Sequence, residues 1–456
     1  MAKKKQIELT IEEKLQNALV PKEEQPYKIP SNWCWSYWKY CGKFIAGNGF
    51  KNIYQGFTQY DIPYYKVGSL KFCDEGNYLI DETNTINEEI RTKLKAVKIP
   101  VNSIIFAKIG EAIKLNRRCL NKIECCIDNN LMAFISEKYF YKYIFYWTKS
   151  LNFYELTNAT TVPALRKTDL ENIPIPLPPL NEQQRIVNII ESLFVKLDRA
   201  KELIENTLAQ FEQNKMAILH KAFTGELTVK WRKENNIDLS SWQEKTIDEL
   251  CTSLKYGTSK KSNPEGSVVV LRMGNLQNGE IDWSNLMYTD DKDDIEKYLL
   301  KKGDVLFNRT NSPELVGKTS IYRGEYPAIY AGYLIKLDYG KDIIGEYLNY
   351  IMNSTKAKHY CYTVKTDGVS QSNINAKKIG AFEIPVPTIE EQQEIVNILD
   401  KLLAKYNKIK NLEQQLEKIE LLKKAILAKA FRGELGTNNP DEESAENLLK
   451  EILAEK

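Results

Sequence analysis

Histidine is almost missing from this 456-residue chain: His220 and His359 are the only two, and neither has neighbours in sequence that would complete a triad or a metal cluster. There is no GxxxxGK[ST] phosphate loop, which argues against an NTPase, and no GxGxxG following a strand, which argues against a dinucleotide site. No run of about 18 apolar residues occurs, so no membrane span is expected. The start, "MAKKKQIELTIEEKLQ", is basic but lacks the apolar stretch of a signal peptide. The eight cysteines include the adjacent Cys125 and Cys126 but no CxxC pair. They read as reduced thiols of a cytoplasmic protein, not as a zinc site or a disulfide framework. The acidic run "DDKDDIE" at 290–296 lacks the alternating spacing and the glycine of an EF-hand loop and reads as a solvated turn. His220 reads as a helix-face residue. These absences leave no candidate catalytic residue and no candidate metal ligand.

What is present is ordinary in bulk. Hydrophobic content of 43% and charged content of 27% describe a globular chain. Its length suggests two or three domains. A net charge of +3 permits a nucleic-acid partner without arguing for one.

The informative feature is a long repeat. "IPIPLPPLNEQQRIVNII" at 173–190 returns as "FEIPVPTIEEQQEIVNIL" at 382–399. "AFTGEL" at 222–227 returns as "AFRGEL" at 430–435, and "SSW" ending at Trp242 matches "SNW" ending at Trp33. Three matches in one order at nearly one offset make two copies of the same unit. Each unit runs from a tryptophan through about 140 variable residues to prolines and then a long helix.

The prolines force extended chain up to each helix start. Asn181 or Glu182, and Glu390 or Glu391, are expected to supply capping oxygens and negative charge in the first turn. Apolar residues then recur every seven: Ile190, Leu197, Ile204, Phe211 and Ile218 in one copy, and Ile395, Leu402, Ile409 and Leu416, with Leu412, Ile419 and Ile426, in the other. Sustained heptads predict two long helices packed side by side, most simply antiparallel. Over 181–223 such a helix is roughly 60 Å long at 1.5 Å per residue. Gly225 and Gly433 stand where each should stop. The copies slip from an offset of 209 to 208 near Ala200.

The regions 33–173 and 242–382 hold short β-prone runs broken by Gly, Asn and Asp, which predicts the same α+β domain twice. "YKVGSL" at 65–70 lines up with "LRMGNL" at 271–276, and "SIIFAK" with "DVLFNR". "EKYFYKYIFYWTKS" reads as a buried or half-buried helix, with "IGEYLNYIMNSTKAKHY" its counterpart. Their loops concentrate side chains suited to base edges and phosphates. In the second region these are Thr258, Ser259, Lys260 and Lys261, Arg272 and Asn275, Asn308, Arg309, Asn311 and Lys318, and Gln371 and Asn373. In the first they are Lys51 and Asn52, Lys66, Lys71, Lys108, Lys114, Arg117 and Arg118. The first region carries 19 basic and 14 acidic residues, a net +5; the second carries 19 and 18, a net +1. The second must therefore gain a basic face locally, with its acidic loop turned away.

With these residues in view, the chain resembles the DNA-specificity subunit of type I restriction-modification enzymes. The resemblance spans nearly the whole chain and rests on "IPLPPLNEQQRIV" and "IPVPTIEEQQEIV", the "AFTGEL" and "AFRGEL" helix ends, the "YKVGSL" and "LRMGNL" strands, and the tail "DEESAENLLKEIL". One departure is Thr388 where the first copy has Pro179. The resemblance implies two target-recognition domains, each reading half of a bipartite, asymmetric site on double-stranded DNA. They are joined by two long antiparallel coiled-coil helices with internal pseudo-twofold symmetry. The helices are expected to act as a ruler for the unspecified spacer. The helix starts, with Pro178, Glu182, Gln183 and Gln184 and with Pro387, Glu391, Gln392 and Gln393, are expected to dock two copies of the methylation (M) subunit. Motor-nuclease (R) subunits would join for restriction. The chain itself would be non-catalytic and would hold no cofactor, because S-adenosylmethionine, ATP and Mg belong to partner subunits.

The expected organisation is an N-terminal extension over 1–30, recognition domains over 31–179 and 237–386, the central helix and linker over 180–236, the second helix over 387–436 and a helical tail over 437–456. A repeat of this kind gives one chain two equivalent docking faces while its recognition surfaces stay free to differ. Half-sites read from one face of DNA lie about 34–36 Å apart, within reach of such helices. A fused restriction-methylation enzyme is disfavoured by the absence of an "NPPY"-type methyltransferase motif. A specificity subunit of a methylation-only system and a non-DNA coiled-coil scaffold stay open as alternatives.

Overall fold

The computed structural model describes residues 10–137, 139–157, 162–404 and 410–455. They fall into two compact units, and the chain divides within its long helices. One unit combines the chain up to Glu202 with the chain from Gln415 onward; the other is Leu203–Gln414.

In the first unit an antiparallel pair, Cys34–Tyr37 with Pro174–Leu177, ties the tryptophan segment to the proline segment, with Cys34 opposite Leu177. A four-stranded sheet follows the spatial order Gly42–Ala46, Leu131–Ser136, Ile104–Ala107, Arg118–Leu120. A three-stranded sheet has the order Thr85–Ile86, Ile62–Tyr65, Cys126–Ile127, the last two strands running parallel. The second unit repeats this. Gln243–Thr246 pairs with Glu383–Val386, Gln243 opposite Val386, both strands 209 residues on. Its four-stranded sheet has the order Cys251–Tyr256, Leu334–Tyr339, Val305–Asn308, Thr319–Ile321, and its three-stranded sheet Tyr288–Thr289, Val268–Leu271, Ala328–Tyr330, again with a parallel last pair. The strands Ile104–Ala107 and Val305–Asn308 are buried along their whole length, as continuous apolar runs predict. The α+β class and the duplication are as the sequence indicates.

The aromatic segment at 137–150 forms the helix Tyr141–Ser150, buried from Tyr143 to Thr148. Its counterpart forms two helices, Gly345–Met352 and Thr355–Val364. Both copies aim a tyrosine hydroxyl at the proline strand: Tyr143 donates to Pro176 O at 2.7 Å and Tyr347 to Pro385 O at 2.8 Å.

The first long helix is continuous over Leu180–Phe223. The second is described as Ile389–Ala404 and Lys410–Phe431; Ile409 of the heptad series lies outside the described residues. The starts differ from expectation. Each helix begins one or two residues early, at Leu180 and Ile389, so the cap positions fall on Pro179 and Thr388, and Thr388 Oγ1 accepts from Glu391 N at 3.4 Å. The described heptad residues are all buried or half-buried. Within the first unit the two helices run antiparallel: Asp198 pairs with Lys423, and Lys201 with Glu420 at 3.6 Å. Ile186, Val187 and Ile190 share a core there with Leu427, Ala430 and Phe431. Within the second unit Leu219 and Ala222 share a core with Ile395, Val396 and Leu399. Each helix segment thus finishes the core of the domain beside it. Gly225 and Gly433 end the helices with φ of +78° and +74°, the left-handed region open to glycine. Among the described residues no helix is long and apolar enough to cross a membrane.

Candidate nucleic-acid interface

The polar residues of the repeated motif turn inward. Glu182 and Glu391 are wholly buried. Glu182 accepts from Trp33 Nε1 at 2.8 Å, Thr437 Oγ1 at 3.1 Å and Asn438 Nδ2 at 3.1 Å. Glu391 accepts from Trp242 Nε1 at 2.9 Å, Thr228 Oγ1 at 2.6 Å and Arg232 Nη1 at 2.7 Å. The adjacent glutamines are buried too. Gln183 donates to Pro178 O and accepts from Phe140 N, while Gln392 donates to Pro387 O and Asp342 O and accepts from Ile344 N. Tryptophan, threonine, glutamate and glutamine recur because together they lock each helix start to its domain.

That corrects the expected docking set. Pro178, Glu182, Gln183, Pro387, Glu391 and Gln392 are buried and bound internally, so their side chains offer no docking surface. Gln184 and Gln393 are exposed.

The second unit gathers most of its candidate DNA residues. Two adjoining concavities of about 520 and 480 Å³ share Arg272 and Tyr333 as a common wall. Asn275, Gln277 and Gln371 line one; Thr258, Ser259, Lys260, Lys261 and Arg309 line the other. Gly257 starts the lysine loop, and a Cβ there would lie 2.1 Å from Tyr330 O, so only glycine lets the loop run this close to the strand. Arg309 is braced over the Tyr256 ring at 4.9 Å and donates to Gly332 O and to Asn373 Oδ1. Arg272 donates to Asn285 O at 2.6 Å. The Nε atoms of both arginines are buried without a hydrogen-bond partner within the protein. Lys318 donates to Gln277 Oε1 at 2.8 Å, and burial holds its pKa below the usual lysine value. Asn311 sits half-exposed on the short strand Thr310–Asn311, which pairs with Ser372–Asn373.

Three residues of this set are structural instead. Thr258 is buried and donates to Asp294. Asn275 is buried, with Oδ1 accepting from Arg272 N at 2.9 Å and Nδ2 donating to Asp282 O and Ser284 O. Asn308 is buried, its Oδ1 accepting from Thr310 N at 3.3 Å. The acidic run is also corrected. It is not a solvated turn facing away but the start of the helix Lys292–Tyr298, capped by Asp291. Lys260 Nζ lies 2.7 Å from Asp291 Oδ2 and 3.4 Å from Asp294 Oδ1. The acidic segment therefore steadies the lysine loop, and Lys261 is the loop's exposed lysine with no acidic neighbour of this kind.

The first unit presents the same framework with other residues. Lys66 N donates to Ser69 Oγ where Arg272 N donates to Asn275. Lys108 N donates to Asn130 O and Lys108 O accepts from Leu165 N, as Arg309 does with Tyr333 O and Ile374 N. Lysines thus stand at the two positions that carry arginines in the second unit. Lys66 Nζ donates to Gln55 Oε1 at 2.7 Å. Lys51, Asn52, Lys71, Lys114 and Arg117 are exposed, and Lys114 pairs with Glu111 at 2.6 Å. Arg118 is a further correction. Its guanidinium is stacked 3.7 Å from the Phe153 ring centroid and donates to Asn116 O at 2.5 Å and Leu151 O at 2.7 Å. Burial lowers its pKa to about 9, so it remains cationic, but it faces the interior.

Sequence reasoning missed Tyr333, half-exposed between the concavities, and Tyr256 beneath Arg309. Aromatic residues beside Gly257 and Gly332 were the available signal.

The model of the "Type I restriction modification DNA specificity domain" matches residues 52–212 and again 240–421, one copy per repeat. The chain belongs to that family. It is 29% identical over 315 residues to the EcoKI type I restriction enzyme specificity subunit of Escherichia coli, covering 66% of this chain and 68% of that one. It is 29% identical over 335 residues to the StySPI specificity subunit of Salmonella potsdam, covering 69% and 71%. A solved chain from work on complex assembly and conformational transition of the type I R-M system superposes with a TM-score of 0.65 at 19% identity, over 90% of this chain and all of that one. The chain is accordingly a DNA-recognising specificity subunit, of a family whose members are non-catalytic.

Proposed function

We propose that each unit of this specificity subunit reads one half of a bipartite, asymmetric site on double-stranded DNA. The observation that carries this is the convergence of Arg272, Arg309, Lys261 and Gln371 on one concave face of the second unit. Arginine forks match the N7 and O6 edge of guanine, and glutamine matches adenine. Lys66 and Lys108 occupy the corresponding positions of the first unit and act as point charges without a fork. Two frameworks of one design with different contact residues suit two half-sites of different sequence. The 44-residue helix Leu180–Phe223 joins the domains and sets the spacer. Two methylation subunits dock on the repeated helix faces, through exposed residues such as Gln184 and Gln393. Val195, Leu421 and Leu422, exposed apolar residues of the helices in the first unit, support a protein partner there. Motor-nuclease subunits complete the restriction complex, and S-adenosylmethionine, ATP and Mg act on those partners. The protein works in the cytoplasm.

The test is binding of the assembled methylation complex to duplexes altered in one half-site at a time. Arg309→Ala should lose discrimination in one half only, by about 1–3 kcal/mol or roughly 5- to 150-fold. Lys108→Ala should weaken binding through the other half. Equal losses through both halves from either variant would contradict the assignment of one unit to one half-site.

A further inference from the structure

We propose that Cys73 and Cys119 form a thiol pair that peroxide closes into a reversible disulfide within the first recognition domain. Their sulfurs lie 2.7 Å apart and share a hydrogen bond, although both thiols are free. The main chain brings them together. Cys73 bridges to Leu79 across a tight turn, Leu79 N donates to Leu120 O at 2.8 Å, and Tyr78 bridges to Leu120, the residue after Cys119. The approach is therefore set by strand register and not by a wandering side chain, which is the condition a disulfide needs.

The two sulfurs differ in a way that assigns their roles. Cys73 is half-buried and reachable, while Cys119 is buried beneath it, its Sγ 3.4 Å from Leu70 O. The hydrogen bond with Cys119 holds Cys73 below the ordinary thiol pKa against the opposing effect of burial; Lys149 and Arg117 act in the same direction as the hydrogen bond, and Asp74 opposes them. The same bond and burial push Cys119 up. Cys73 is then the attacking thiolate and Cys119 the resolving thiol. The Cys73 thiolate attacks one oxygen of hydrogen peroxide. The O–O bond breaks, hydroxide leaves and takes a proton as water, and Cys73 becomes a sulfenic acid. The Cys119 sulfur then attacks the Cys73 sulfur. The S–O bond breaks as the S–S bond forms, and the departing hydroxide takes the Cys119 proton as a second water. Two thiols are oxidised and one peroxide is reduced to two waters.

Cys125 and Cys126 are adjacent in sequence, but their side chains enter different cores. A bond between Cys73 and Cys119 would fix the segment carrying Lys71 to the strand carrying the Arg117–Cys119 corner.

The experiment is thiol counting and peptide mapping of the full-length protein after hydrogen peroxide, with dithiothreitol reversal. The expected result is that six of the eight thiols remain, and that one linked peptide pair contains Cys73 and Cys119, released by reductant. Cys73→Ser should retain its seven thiols, and Cys119→Ser should leave Cys73 as a sulfenic acid that dimedone traps. Eight surviving thiols at a peroxide dose that oxidises a free cysteine peptide would overturn the proposal. So would linkage through other cysteines, or a Cys119→Ser protein in which Cys73 does not react with dimedone.

Discussion

Replacing Glu391 by methionine tests whether the buried carboxylate is the keystone of the second unit. Glu391 has no exposed surface, and the Arg232 side chain is only 8% exposed. Arg232 spends one arm on Glu391 at 2.7 Å and the other on Gly225 O at 2.6 Å. Methionine keeps the volume but strands a buried guanidinium, and removing one member of a buried pair costs about 3–5 kcal/mol. In a unit of 150–250 residues each kcal/mol moves the midpoint by about 2–4 °C, so the second unit's transition should fall by roughly 6–20 °C. Arg232→Met added to Glu391→Met should recover most of the loss, because no unpaired charge then remains inside. A residual of about 1–3 kcal/mol is expected from Thr228 and Trp242, whose hydroxyl and indole N–H lose their acceptor. Glu182→Met makes the control, since its partners Trp33, Thr437 and Asn438 are neutral and lie in the first unit. Arg232→Met should not rescue it. Differential scanning calorimetry reads both transitions. A Glu391→Met protein within 1 kcal/mol of the parent, or a double variant no more stable than the single one, would refute the reasoning.

Gly433→Ala should destabilise the first unit by more than the usual 1 kcal/mol of a helix-end glycine, because the backbone is left-handed and the new Cβ would stand 2.5 Å from Pro30 Cγ; urea unfolding reads it. Arg118→Ala should cost about 1–3 kcal/mol in the same assay by orphaning the carbonyl of Asn116, since Leu151 O keeps Asn116 Nδ2 as a donor at 3.0 Å, while the methylated target sequence stays unchanged. Four residues inserted after Ala200 lengthen the helix by about 6 Å with its apolar stripe nearly in phase. Sequencing of methylated sites should then show both half-sites intact and a spacer longer by about two base pairs, at 3.4 Å per pair along a strand. An unchanged spacer with full activity would place the ruler elsewhere.

The duplication, the helices and the α+β class were legible because they rest on local signals: prolines before a helix, heptads, and apolar runs between turn residues. The helix starts erred by a residue or two because the prolines' preference for extended chain ends where Pro179 and Thr388 can already serve as cap positions. The partners of Glu182 and Glu391 were not legible. Each tryptophan stands 149 residues from its carboxylate, and a polar residue in a motif defaults to the surface until its donors are known. The same rule explains Thr258, Asn275, Asn308 and Arg118. Their chemistry suits a base edge, yet tertiary register turned them inward, where each makes at least one hydrogen bond within the protein. Lys260 erred differently. Its loop was found, but a helix cap 31 residues away holds its charge.

Two helices far apart in the sequence, one before the first recognition domain and one after the second long helix, meet in the first unit. The helices Ile11–Ala18 and Ala445–Ala454 bury Leu15 and Ala18 and Leu449, Ile452 and Leu453 in one shared core, beside Leu427 and Phe431. On the ribosome this inverts the order of completion. The second unit is one uninterrupted stretch, and all its residues have left the exit tunnel while the first domain made still waits for the last helix. The half synthesised first is the half that finishes last, and a message that ends early yields a whole second domain attached to an open first one.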